Sequence, residues 1–302
     1  MQTSNPVLAR IDREAAQASK SGPGFAYEEG RTAVAAAERP STTGTATPAP
    51  APGGAGTKPG LYAGVQIPAP PGQRVTMPDI MAKSAILFVV ATIMAVVGWQ
   101  VISAAPTIGG ILMFAALIGT VILGIVNAVK RQVSPPMVIL YAVVSGFMLG
   151  AISYWYNQIG LANEYEGLVL QAVLATFTTF GVMLLLYGTG LVKVTNKFVK
   201  FLTLAMGAYF VIALASLVGA LFGVGGGWGF YGVGTLGLLL CLFGVGLAAF
   251  TLMLDFEAIK QGIAMGLPER ESWRLSFGLL VTLVWLYLEF LRLFAIIASG
   301  RD

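Results

Sequence analysis

Two acidic residues in the last third of the chain are the best placed to do chemistry. Asp255 follows the apolar run that ends Leu252-Met-Leu, and leads into Phe256, Glu257, Ile259 and Lys260. Glu289 lies inside Phe277-Gly-Leu-Leu-Val-Thr282-Leu-Val-Trp285-Leu-Tyr-Leu-Glu289-Phe-Leu-Arg292, an otherwise apolar segment. A carboxylate at the centre of a bilayer costs roughly 2.5–3.5 kcal/mol on insertion scales, so it is expected to face a cavity or a partner. Glu289 has two readings: an intrahelical pair with Arg292, three residues on, or a place on an ion or proton path. Thr282 precedes Glu289 by seven residues, which puts both on nearly one helical face with Trp285 between them. Asp255 also has two readings. It is a solvated charge at the end of its segment, together with Glu257 and Lys260, or the helix continues to about Gly262 and the carboxylate is partly desolvated. In the second case it would respond to pH near neutrality.

The rest of the chain supplies a frame at membrane depth. Of 302 residues, 56% are hydrophobic and only 11% charged, against about 25% charged in soluble domains. The fold class expected is therefore an all-α integral membrane protein. With no His and one Cys, Cys241, the sequence excludes an intramolecular disulfide, His proton relays and Ser-His or Cys-His catalysis. Cys241 lies in an apolar run and reads as a packing or lipid-facing residue. No nucleotide-binding, serine-hydrolase or metalloprotease motif is present, so no enzyme is expected. Storage-type Ca²⁺ sites take about six to eight oxygen ligands. No loop here is dense enough in Asp and Glu, so neither a metal site nor a cofactor is expected. The net charge of +4 reflects Lys and Arg between apolar runs, which speaks for topology and against nucleic acid as a partner.

Seven apolar segments, each near the roughly 20 residues needed to span a bilayer, are placed at about 84–105, 108–129, 137–156, 167–190, 200–222, 233–254 and 275–298. Residues 1–77 precede them as a Pro/Ala/Gly/Thr-rich tail expected to be disordered, and residues 78–302 form the seven-helix domain. The tail carries no apolar leader, so no cleavable signal peptide is expected. Pro106 and Ser134-Pro135-Pro136 mark breaks, and Gly223-Val-Gly-Gly-Gly-Trp-Gly229 a loose loop. Lys and Arg gather on one side: Arg74 and Lys83 in the tail, then Lys130 and Arg131, Lys193, Lys197 and Lys200, and Lys260, Arg270 and Arg274. Glu164 and Glu166 lie on the other. That asymmetry predicts a cytoplasmic N-terminus and an exterior C-terminus in the inner (plasma) membrane. Gly146-Phe-Met-Leu-Gly150 is a Gly-x-x-x-Gly pair that lets two helices approach closely.

Three stretches carry a family likeness. Asp255-x-x-x-Ile after a Gly-rich sixth segment, the ending Leu-Tyr-Leu-Glu289-Phe-Leu-Arg292-Leu-Phe, and Leu140-Tyr-Ala-Val-Val-Ser-Gly146-Phe-Met-Leu-Gly150 together resemble the Bax inhibitor-1/YccA-like family. The start Ser4-Asn-Pro-Val-Leu-Ala-Arg10 and the long arm look like its actinobacterial branch. The resemblance implies six helices around a central, partly hydrophilic seventh. It also implies a pH-sensitive cation (Ca²⁺) leak, with stress suppression or a membrane protease as partner in some members. The family's signature is a pair of aspartates on the sixth and seventh helices sharing a proton. Asp255 matches the first; the second position is Thr282 here, and an acidic residue often found before the Gly of the third helix is Ser145. The resemblance therefore implies a conducting path lined by Asp255, Thr282 and Glu289, or a non-conducting scaffold that modulates a protease through its tail.

Overall fold

A computed structural model of the chain describes residues 74–300, apart from 131, 133, 192–193, 225–228 and 233. The expected disordered tail lies outside the described residues up to residue 73, as do Arg131, Lys193 and the middle of the Gly223–Gly229 loop. Seven helices follow one another: α1 (Met77–Ala104), α2 (Pro106–Val129), α3 (Pro135–Ala162), α4 (Leu168–Gly188), α5 (Asn196–Leu221), α6 (Thr235–Ala264) and α7 (Glu271–Ser299). A short 3-10 turn, Gly229–Tyr231, precedes α6. All seven are long and apolar enough to cross a membrane. Large side chains such as Ile111, Phe114, Ile118, Val121 and Leu204 stand exposed around the perimeter. Exposed apolar surface on that scale would be untenable in water. The chain is a multi-pass membrane bundle.

Prolines start three of the helices, at Pro78, Pro106 and Pro135, where the missing N–H is one the first turn could not have paired. Thr195 caps α5, its Oγ1 accepting from Phe198 N at 3.2 Å. The close helix approach expected from Gly146 and Gly150 is present, and α1 is the partner. A methyl group at either glycine would collide with backbone atoms of Ala91 or Ala95, and one at Gly98 with the Phe147 carbonyl. α7 is the most buried of the seven helices and packs against α1, α3, α4 and α6. α2 lies outside, against α1 and α3, and α5 against α6. The last helix is thus central, as the resemblance implied, with α2 and α5 at the margin.

Several boundaries differ from the expected ones. α3 runs to Ala162 and α6 to Ala264, against expected ends near 156 and 254. Hydropathy falls at Asp255, Glu257 and Lys260, but the backbone ladder does not stop there. It stops at Gly266, whose φ of +63° forms a left-handed cap. Gly266 N donates to Ile263 O at 3.0 Å and Leu267 N to Gly262 O at 3.1 Å, a Schellman closure. Buried Leu267 then accepts from Val75 N at 2.8 Å, and Arg74 pairs with Pro268. Residues 74–77, assigned to the tail from sequence, therefore belong to the membrane domain.

Lys83, counted from sequence as a tail charge, sits inside α1 and is only 9% exposed. Its Nζ pairs with Asp79 at 2.8 Å and Glu269 at 3.4 Å, and lies over the Trp273 ring. Ser272 Oγ donates to the same Asp79 carboxylate. This cluster ties the start of α1 to the α6–α7 turn. Lys83→Met should lower stability by about 1.5–3 kcal/mol, the usual scale for losing hydrogen bonds to charged groups, read as an earlier thermal transition in detergent.

Candidate functional site

One face of α7 carries two polar stations, and α6 faces both. At the first, Asp255 of α6 lies against Gly278 and Thr282 of α7. A Cβ on Gly278 would stand 3.4 Å from Asp255 Oδ1, and the Thr282 side chain lies near the Asp255 carboxyl. Thr282 Oγ1 donates within its own helix, to Gly278 O at 3.2 Å. Asp255 Oδ2 is buried and has no hydrogen-bond partner. α6 continues nine residues past Asp255, so Asp255 does not mark a helix end. The neighbouring Glu257 is engaged elsewhere, accepting from Tyr187 Oη at 2.7 Å and Gln261 Nε2 at 2.8 Å.

At the second station Glu289, 4% exposed, accepts from Tyr209 Oη of α5 at 2.6 Å and from Trp285 Nε1 at 3.0 Å, both on Oε1. Oε2 is 3.9 Å from Arg292 Nη1, at the margin of an ion pair. The Arg292 side chain is about a third exposed, and its guanidinium lies 4.3 Å from the centre of the Tyr231 ring and beside the Tyr156 hydroxyl. Beside it a cavity of about 190 Å³ is bounded by Tyr156, Ile159, Tyr231, Arg292 and the last turns of α7. Gly244 of α6 makes room for this cluster, since a Cβ there would press on the Tyr209 hydroxyl and the Glu289 carboxyl.

The structure brings Asp255 together with Thr282, and Glu289 with Arg292, but it does not bring Asp255 to Glu289. Seven residues of helix separate Thr282 from Glu289, a rise of roughly 10 Å. Ala248 and Leu252 of α6 and Leu286 of α7, all fully buried, occupy the intervening turns. The two stations are ends of one polar face interrupted by a dry layer. Cys241 is fully buried and packs in the core cluster around α7. Ser145 is also fully buried, its hydroxyl turned back to Ala142 O at 3.4 Å. Among the described residues, no three of His, Cys, Asp and Glu assemble as a metal-ligand set.

Sequence reasoning missed Tyr209, whose partner lies eighty residues away. A signal was available: a buried carboxylate needs donors, and Tyr209 is the one Tyr within the apolar run of α5. Trp285 was on the right face, and its spacing of four from Glu289 is the geometry that allows the bond.

A search of curated proteins returned no match to the chain. A family model described as Bax inhibitor 1 like matches residues 5–299, spanning all seven helices and both polar stations, and the chain belongs to that family.

Proposed function

We propose that this protein is a cation path across the membrane, passing Ca²⁺ or protons, in which the Asp255 carboxyl acts as the gate. The observation that carries this reading is the unpartnered, buried Oδ2 of Asp255 on the helix that faces Thr282. A buried charge without partners is costly, so its charge state is open to control by protons or by an arriving cation. The dry layer of Ala248, Leu252 and Leu286 suits a closed state, because apolar constrictions block ions by excluding water. The cavity beside Arg292 and Glu289 serves as the outer vestibule. The loop charges support an inner (plasma) membrane protein with a cytoplasmic N-terminus. The reading includes no enzymatic step.

The test is Ca²⁺ uptake into liposomes carrying the purified full chain, from about pH 6 to 8, a range that brackets the titration of desolvated carboxylates in general. A flux that varies with pH is expected, with Asp255→Asn flattening that dependence. Thr282→Asp, which places a second carboxylate across from the first, is expected to shift it. Like charges held close cannot both ionise freely. A flux equal to that of empty liposomes at every pH would overturn the conducting reading.

One observation favours a second reading. Thr282 supplies a hydroxyl where a proton-sharing pair needs another carboxylate, and such a site has one titrating group in place of two. A non-conducting scaffold that modulates a membrane protease, with residues 1–77 as the contact element, is then the function. Its mark would be cellular effects lost on deleting residues 1–73, which spares the Val75–Leu267 bond, while liposome flux stays absent.

A further inference from the structure

On the other side of α7 from the polar stations, a cavity of about 250 Å³ opens between α1, α3, α4 and α7. Its rim includes Phe177 of α4, 60% exposed, and the exposed Thr92 of α1. Its floor is buried: Leu280, Leu283 and Val284 of α7 are each 7% exposed or less. Phe177 of α4, Thr92 of α1 and Val284 of α7 each lie near the middle of their helix. The opening therefore sits close to the midplane of the bilayer, about 15 Å from either edge of a hydrocarbon core some 30 Å thick. Neither water-soluble ligands nor lipid headgroups are present at that depth; hydrocarbon is.

The buried hydroxyls of the lining are already engaged. Ser153 Oγ donates to Leu149 O at 2.6 Å and shares a 2.7 Å hydrogen bond with Tyr287 Oη. Thr176 Oγ1 donates to Ala172 O at 2.7 Å. A cavity whose buried hydroxyls are satisfied internally gives water or a polar ligand too few partners to hold it, and favours an apolar occupant. We infer that this cavity is a binding site for one acyl tail of a bilayer phospholipid, which enters between α1 and α4 and lies against the buried face of α7. Leu283, which the tail would touch, adjoins Thr282, so occupancy acts on the helix that carries both polar stations.

The test needs no conduction and stands apart from the flux measurement. The full chain is placed in liposomes of phosphatidylcholine bearing a diazirine near the end of one acyl chain, illuminated, digested and mapped by mass spectrometry. Adducts are expected on Leu280, Leu283 and Val284 of α7, each 7% exposed or less, as well as on perimeter residues of α2 such as Ile118 and Val121. Val173→Phe, which fills the cavity, and Thr92→Trp, which narrows its mouth, should each lose the α7 adducts while the α2 adducts persist. The α2 adducts report that a variant is still folded in the bilayer. Perimeter labelling with α7 unmarked in the wild type would overturn the inference. So would α7 labelling that survives undiminished in both variants.

Discussion

Gly150→Leu is expected to disassemble the bundle, with a loss of more than about 3 kcal/mol, beyond the ordinary range for overpacking a core. The reason lies in what the new atoms would meet. A Cβ on Gly150 runs into the carbonyl and Cα of Ala95, and one on Gly146 into the same atoms of Ala91. These are backbone atoms, so no rotamer change relieves the clash, and α1 and α3 would have to move apart along their whole interface. Gly98 meets the Phe147 carbonyl from the opposite direction, so the contact is tight from both helices. Without water to drive association, close packing of small residues is what holds membrane helices together. Moving α3 would also pull Ser153 from Tyr287, disturbing α7 itself. Gly110→Leu is the control, because a Cβ there meets nothing within 4 Å. That variant should melt at or above the wild-type temperature, since leucine is the better helix former. Thermal unfolding in detergent, followed by loss of helical signal and of the monodisperse elution peak, decides the matter. A Gly150→Leu protein that melts within a few degrees of wild type would mean the helices do not pack this way.

The spans were legible because bilayer crossing writes a long, simple pattern, and Gly146 and Gly150 were legible because close approach needs a fixed spacing on one helix. The Thr282, Trp285 and Glu289 face was legible for the same reason: it is a property of one helix. What failed to show were relations between distant segments. Lys83 looks like a tail charge because its neighbours in sequence say nothing of Glu269, 186 residues on. Asp255 looks like the end of a segment because hydropathy records side chains, whereas the helix ends where Gly266 reverses the backbone. Val75 looks like tail because a single backbone bond to Leu267 leaves no local pattern. The site was half visible: its carboxylates could be named, but not Tyr209, the donor that fixes one of them.

That donor sets the second large effect. Glu289→Ala is expected to cost about 3–5 kcal/mol, the range for breaking a buried charged cluster by removing one member. Tyr209 Oη and Trp285 Nε1 both donate to the same Oε1, and alanine would leave both without that acceptor in a largely buried site. Glu289→Gln keeps an acceptor oxygen for the two donors and removes only the charge, so a smaller loss of about 1–2 kcal/mol is expected. The comparison also separates the two readings of Glu289. If its role were an intrahelical pair with Arg292, then Arg292→Ala should cost about as much as Glu289→Ala, and the two should be strongly coupled. The geometry argues otherwise. Arg292 stands 3.9 Å off with its side chain about a third exposed, and partly solvated pairs of that kind contribute about 1 kcal/mol or less. Tyr209→Phe should then cost more than Arg292→Ala, and the Glu289–Arg292 coupling in a double-mutant cycle should stay below about 1 kcal/mol. A larger coupling would make the pair the anchor. A small one assigns Glu289 to the α5–α7 contact, where it is held in place by a donor from a helix that otherwise sits at the margin of the bundle.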